Sequence, residues 1–148
     1  MKDVFHTLMR QQRRRLAISE EDLADIVGLG GAEFDDLEAY PDEWRMVVPI
    51  VKIKVLLRLL KIEIRQIVCP ETKAIEIQSL NEYIRLRRTE LGLSPSEFAD
   101  KAGFYPVFCD IVESQPLALE VYPVQVAVFV ADALQISSEA FVDRILRH

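Results

Sequence analysis

The residues that most often perform chemistry in proteins are few in this chain and lie far apart. The only histidines are His6 and His148, and the only cysteines are Cys69 and Cys109. No group of His, Cys and Glu has the spacing of a metal site, and two cysteines exclude a disulfide scaffold or a four-thiolate zinc site. The glycines of segment 27–31 lack the Lys-Ser/Thr of a phosphate-binding loop. We therefore expect no enzymatic activity, no metal and no cofactor.

The composition is typical of a folded, acidic protein. The chain has 148 residues, half of them hydrophobic, and a formal net charge of −6. Its length fits one ordinary domain or two of about 70 residues. No stretch reaches the ~18–20 uncharged apolar residues that a bilayer span needs, and the first residues lack the layout of a signal peptide. We expect no membrane partner and a cytoplasmic location.

The chain contains an internal repeat. When the sequence is shifted by 75 residues, ten positions in segment 8–41 are identical to their counterparts in segment 83–116. After the loop that follows this segment the offset becomes 74, so that Leu60 matches Leu134 and Ile62 matches Ile136. Chance similarity between two amphipathic segments is the alternative, but ten identities at constant spacing favour two copies of one unit. The predicted division is a first domain at 1–70, a linker at 71–78 and a second domain at 79–148.

Signals at the ends of helices recur in both copies. Ser19 and Ser94 have the residue type and position of N-caps for a short second helix. Gly28 and Gly103 follow this helix and have the residue type and position of left-handed C-caps. A third helix is expected at about 32–39 and again at about 107–114.

The next segment of each copy has an ambiguous pattern. Valines alternate with period two from Val124 to Val130, which is typical of a strand. The residues that follow, 130–134, form helix well, and Pro123 lies where a first helical turn would begin. We predict a helix here, and hence an all-α chain of two five-helix copies related by approximate two-fold symmetry.

Residues at matching positions of the two copies resemble the helix-turn-helix domain of the Cro and phage-repressor type, the XRE family. The second copy matches with Arg88, Leu91-Gly92-Leu93-Ser94, Phe98-Ala99, Gly103 and Glu113, and the first with Arg13, Leu16-Ala17-Ile18-Ser19, Leu23-Ala24, Gly28 and Glu38. The resemblance implies lambda-repressor-like domains, a role as a small transcriptional regulator, and DNA as the partner. It also implies that Arg13 pairs with Glu38, and Arg88 with Glu113, to brace the first helix of each copy against the third.

The positions aligned with the family's DNA contacts do not carry residues that read bases. Arg or Lys recognises guanine in the major groove, and Asn or Gln recognises adenine. None of these types occurs among the aligned positions, which are Glu20, Gly31, Ala32, Asp36, Pro95, Pro106, Val107 and Ile111. In addition, segment 20–43 holds ten acidic residues and no Lys or Arg, so it would repel phosphates.

A second hypothesis is therefore that the pair of copies binds proteins instead of DNA, as an antitoxin-like partner or an adaptor. Aromatic residues that the family pattern would leave near the surface form the expected contact area for the first half of the chain, for a second chain or for another protein: Tyr105, Phe108, Tyr122 and Phe129. Basic residues such as Lys52, Lys54 and Arg58 could instead form a phosphate-binding face. Pairing with the acidic segment and with helix C-termini is the interpretation we favour.

Overall fold

The computed structural model describes residues 1–69 and 79–148, and these residues are entirely α-helical and 3-10 helical apart from turns and one isolated bridge. The predicted all-α class is therefore confirmed, and the valines from Val124 to Val130 belong to a helix. The predicted linker at 71–78 lies outside the described residues. No helix of the described part is long and apolar enough to cross a bilayer.

Each half of the described chain contains six helical segments in the same order. The first half has α1 (Phe5–Arg15), α2 (Glu20–Val27), α3 (Gly31–Ala39), α4 (Glu43–Met46), α5 (Ile50–Leu59) and a 3-10 turn at Ile64–Gln66. The second half has α6 (Leu80–Glu90), α7 (Pro95–Ala102), α8 (Val107–Ser114), a 3-10 turn at Ala118–Val121, α9 (Val124–Ala133) and α10 (Ser138–Arg147). The prediction of five helices per copy missed α4 and its 3-10 counterpart. These single turns are too short to show a periodic hydrophobic pattern.

The repeat extends to the backbone conformation. Left-handed φ angles occur at the equivalent pairs Ala17 and Gly92 (55° and 69°), Gly28 and Gly103 (68° and 84°), and Lys61 and Gln135 (55° and 53°). L-residues other than glycine, asparagine and aspartate rarely adopt this conformation. Its recurrence at three matched positions shows that both halves follow the same path through their turns.

The two halves pack on each other reciprocally. Helix α4 of the first half contacts α9 of the second, and the equivalent 3-10 turn of the second half contacts α5 of the first. Between them, the equivalent residues Pro49 and Pro123 form an antiparallel bridge, and the amide of Ile50 donates to the carbonyl of Tyr122 at 2.9 Å. An approximate two-fold axis produces such pairs of contacts, because each contact recurs with the two halves exchanged.

The core is shared by the halves. Buried apolar side chains from both belong to one continuous cluster, which includes Phe5, Trp44, Ile84 and Phe141. The rings of Phe5 and Trp44 lie 5.2 Å apart at a tilted angle, and Trp44 belongs to α4, the helix that contacts α9. Domains of about 70 residues bury only about 60% of their chain surface when alone, so this shared burial adds to the stability of both halves.

Candidate functional site

The candidate interaction surfaces are the faces formed by α2 with α3 and by α7 with α8. Both N-cap serines make the expected bond: the Ser19 hydroxyl accepts from the amide of Asp22 at 3.0 Å, and the Ser94 hydroxyl from the amide of Glu97 at 3.1 Å. In the second half the Glu97 carboxylate also accepts from the amide of Ser94, which completes a capping box. Gly28 and Gly103 end the two helices in the left-handed conformation.

An arginine–glutamate pair fixes the third helix of each half to the first. In the first half, Arg13 Nε and Nη2 donate to the two oxygens of Glu38 at 2.6 and 3.1 Å. In the second half, Arg88 makes the same two bonds to Glu113 at 2.5 and 3.2 Å. Two parallel N–H···O bonds fix both distance and orientation. Both ion pairs expected from the sequence are thus present, and they hold α3 and α8 in place.

These two ion pairs differ in burial. The side chains of Arg13 and Glu38 are each 8% exposed, whereas those of Arg88 and Glu113 are 14% and 12% exposed. The hydrogen bond to Glu38 raises the pKa of the Arg13 guanidinium, and this effect outweighs burial, which opposes it. The first-half pair is therefore charged and largely removed from water, where the loss of one partner is most costly.

All eight positions aligned with the family's DNA contacts lie at the surface. In the first half these are Glu20, Gly31, Ala32 and Asp36, and in the second half Pro95, Pro106, Val107 and Ile111. The fold therefore leaves them accessible to solvent. What they present is carboxylate, small and apolar groups, without a donor for phosphate or for the edge of guanine.

The first-half face is an acidic groove. A cleft of about 300 Å³ lies between α2 and α3, with Ala24, Leu29 and Phe34 as its apolar lining. Around these the carboxylates of Glu20, Glu21, Asp25 and Asp35 line the same cleft. The groove combines negative charge with apolar surface, a combination that repels nucleic acid and suits a basic, partly apolar partner.

The second-half face is apolar and aromatic. A cleft of about 630 Å³ at the equivalent place is lined by Phe104, Tyr105 and Pro106 together with Asp100. Beside it Tyr105 is 83% exposed and Val107 61% exposed. Exposed aromatic and aliphatic side chains that are grouped on one surface are typical of areas that contact another molecule.

The prediction that Phe108 lies in an exposed contact area is wrong. Its side chain is buried, stacks on Phe104 at 4.2 Å and meets the edge of Tyr122 at 5.5 Å. It therefore belongs to the packing of the second half and is not part of the exposed surface. Tyr122 is half-buried in the same cluster, whereas Tyr105 and Phe129 are exposed as expected. A helix of eight residues has an inner face, and Phe108 and Cys109 occupy the inner face of α8.

Many basic side chains serve structural contacts. Lys52 donates to the carbonyl of Gly28 at the end of α2 at 2.7 Å, and Arg10 donates to the carbonyl of Glu38 at 2.7 Å. Lys54 forms an ion pair across the halves with the buried Glu120. These contacts agree with the interpretation that the basic residues pair with carboxylates and helix C-termini. The cross-half pair is a feature that the sequence analysis missed.

The cysteines and histidines do not come together. Cys109 is buried, and this burial, with Glu113 nearby, raises the pKa of its thiol to about 12. A neutral, enclosed thiol is a poor nucleophile. Cys69 is exposed on a separate segment, and its amide donates to Glu139. Within residues 1–69 and 79–148, no three His, Cys, Asp or Glu side chains are placed to hold a metal ion.

Comparison with known proteins gives no relative: no family model, no curated protein and no solved structure matches this chain.

Proposed function

We propose that this protein is a non-enzymatic interaction module, in which a duplicated helix-turn-helix-like scaffold binds another protein through the faces that a DNA reader would turn to the duplex. The observation that carries the proposal is the exposed apolar surface at the start of α8, formed by Tyr105, two residues before the helix, and by Val107 and Ile111 on it. The resemblance to the XRE family supplies the comparison with DNA readers.

Electrostatics argue against the usual mode of DNA binding. A protein gains affinity for DNA by placing Lys and Arg on phosphates and releasing counterions. The acidic groove has four carboxylates at its rim, and the aligned positions on α8 are apolar. Either face placed in the major groove would desolvate bases and phosphates without supplying donors to them.

The chemistry of the partner follows from the two faces. The acidic groove, with Ala24 and Phe34 in its lining, fits a segment that carries Lys or Arg beside apolar residues. The α8 surface fits an apolar patch, because Tyr and neighbouring aliphatic side chains bury much area at little entropic cost. We therefore propose a protein partner with a basic, amphipathic contact segment.

DNA binding is the second candidate, and one observation favours it. The reciprocal packing of the halves gives one chain an approximate two-fold symmetry, and DNA-binding repressors use two-fold symmetry to read paired half-sites. A DNA-binding form of this protein would have to use basic side chains outside the aligned positions, such as the exposed Arg14 and Arg15 at the end of α1.

A mobility-shift assay decides between the two candidates. Purified protein would be titrated against a pool of genomic fragments at about 50 and 200 mM salt, where a phosphate-binding protein loses affinity steeply. We expect no shift at either salt concentration with micromolar protein. A shift that is abolished at the higher salt and is lost in the double variant Arg14→Gln/Arg15→Gln would overturn the proposal in favour of DNA binding.

Crosslinking in the native source tests the protein-binding surface itself. Proteins crosslinked to the wild type would be compared with those crosslinked to the double variant Tyr105→Asp/Val107→Asp. The matched control is Leu86→Asp, because Leu86 is an exposed apolar residue on α6, away from α8. We expect a discrete partner with the wild type and the control and its loss in the double variant, while the circular dichroism of all three stays the same. A partner retained by the double variant would contradict the role of α8.

A further inference from the structure

A cleft between the halves carries basic side chains, although the protein as a whole has a net negative charge. It lies where α5 and the chain after it meet the end of α10, and its volume is about 240 Å³. Lys54, Arg58 and Arg147 line it, and none of the lining residues among those described is acidic. The other lining residues are apolar except for His148, the last residue of the sequence. In a chain with 24 acidic and 18 basic residues, three basic side chains in one cleft are a local concentration of positive charge.

The cations of the cleft are unequally neutralised. Lys54 pairs with Glu120, and Arg147 donates to Asp143 one turn earlier on α10 at 2.8 Å. Arg58 is exposed and forms no ion pair with any residue of the described chain. Its planar guanidinium, always protonated, remains available for a carboxylate or phosphate in two-pronged geometry.

Most of the remaining lining is apolar. Ile64 is half-buried, and Leu57, Ile62 and Leu146, which belong to the core cluster, expose only small areas to the cleft. A ligand that only carried charge would leave this surface wet. A ligand with an apolar body would cover it while its charged end stayed beside the cations.

The two cations on α5 are specific to the first half and are not a consequence of the duplication. With the offset of 74 residues, Lys54 corresponds to Val128 and Arg58 to Asp132. Helix α9, the counterpart of α5, therefore lacks these two charges. A general need for charge on this helix would not produce such a difference between copies.

We propose that this cleft binds a small amphipathic organic anion. Its carboxylate or phosphate contacts Arg58 and Arg147, and its apolar body lies against Ile64 and the exposed edges of Leu57, Ile62 and Leu146. Because α5 belongs to the first half and α10 to the second, the bound anion connects the halves. Binding to the folded state alone then raises the midpoint of thermal unfolding.

Defined probes test this proposal on the full chain. Isothermal titration and thermal unfolding would be measured with octanoate and with octyl phosphate, which separate a carboxylate from a phosphate head. Octanol supplies the same apolar chain without charge, and inorganic phosphate supplies charge without the chain. We expect one or both octyl anions to bind with a stoichiometry of one and to raise the unfolding midpoint, and we expect neither control to do so.

Variants locate the site. Arg58→Gln should weaken binding of the octyl anion at least about tenfold, the loss of one charge-assisted contact. Arg14→Gln, which removes an exposed arginine on α1, should leave it unchanged. Arg147→Gln is a second test, of the contact that α10 of the second half contributes. The proposal fails if octanol binds as well as the anions, if no octyl anion binds, or if Arg58→Gln and Arg14→Gln have equal effects.

Discussion

At the scale of single residues, the two arginine–glutamate pairs are the same motif at two degrees of burial. Arg13 and Glu38 are both below 10% exposed, and Arg88 and Glu113 are somewhat more open. Removing one partner leaves the other charge desolvated, and this penalty grows with burial. Arg13 also donates to Glu20 at 3.1 Å, a contact that the second half lacks because Pro95 stands at the equivalent position. The stability that each pair contributes should therefore differ between the halves, although the bonds to the two glutamates are alike.

We predict that Arg13→Met lowers the free energy of unfolding by about 3 kcal/mol, because Glu38 is left buried without its partner. Arg88→Met should lower it by about 2 kcal/mol, since water reaches Glu113 more easily. Urea unfolding followed by circular dichroism measures both, and Arg14→Met is the control on the same helix, with an expected change near zero. Equal losses for the Arg14 and Arg13 variants would show that the pair contributes nothing.

At the scale of elements, the turn after the first helix of each half offers a reciprocal test. Ala17 and its equivalent Gly92 both adopt the left-handed conformation, at φ 55° and 69°. Alanine pays a steric penalty of about 1–2 kcal/mol there, which glycine avoids. A Cβ added at Gly92 would meet no atom within 4 Å. The effect of a substitution there therefore depends only on the left-handed backbone conformation.

We therefore predict opposite effects for two substitutions of the same kind. Ala17→Gly should stabilise the protein by about 1 kcal/mol, and Gly92→Ala should destabilise it by about 1 kcal/mol, after allowance for the extra freedom of glycine in the unfolded chain. Thermal unfolding of both variants measures the sign. Gly31→Ala is the control, because Gly31 has an ordinary helical φ and open space around it. A destabilising Ala17→Gly would contradict the assigned turn.

At the scale of the whole molecule, the shared core predicts that the halves unfold together. Trp44 is the only tryptophan, it is fully buried in α4, and α4 packs on α9 of the second half. Its fluorescence therefore reports on the first half at the contact with the second. Because buried side chains of both halves form one cluster, neither half should retain its packing when the other unfolds.

The matching experiment uses a substitution far along the chain from the probe. Phe141→Ala removes a fully buried ring from α10 and should destabilise the protein by about 3 kcal/mol. We predict that the urea midpoint of Trp44 fluorescence falls together with that of circular dichroism, and by the same amount. Two separate transitions, with the Trp44 midpoint unchanged, would show that the halves are independent domains.

What the sequence alone determined was local. The N-caps at Ser19 and Ser94, the C-caps at Gly28 and Gly103 and the all-α class follow from residue types within a few positions of each other. The repeat follows from comparing these local patterns between the two halves. The Arg13–Glu38 contact was reached only through resemblance to a family, because nothing in the spacing of two residues 25 positions apart fixes their distance. The short α4 and its 3-10 counterpart were missed because one turn contains no periodic pattern.

What the tertiary structure decided was which faces are covered. Phe108 and Tyr105 lie three residues apart, yet Phe108 is 4% exposed and Tyr105 83% exposed. Whether an aromatic side chain is core or contact surface depends on what packs over it. In the same way, Lys54 and Glu120 form a pair, and Arg58 and Arg147 line one cleft, only because the two halves meet around Pro49 and Pro123. Hydrophobic pattern and end signals act within an element, whereas the charge and shape of a surface depend on residues that packing brings together from distant parts of the chain.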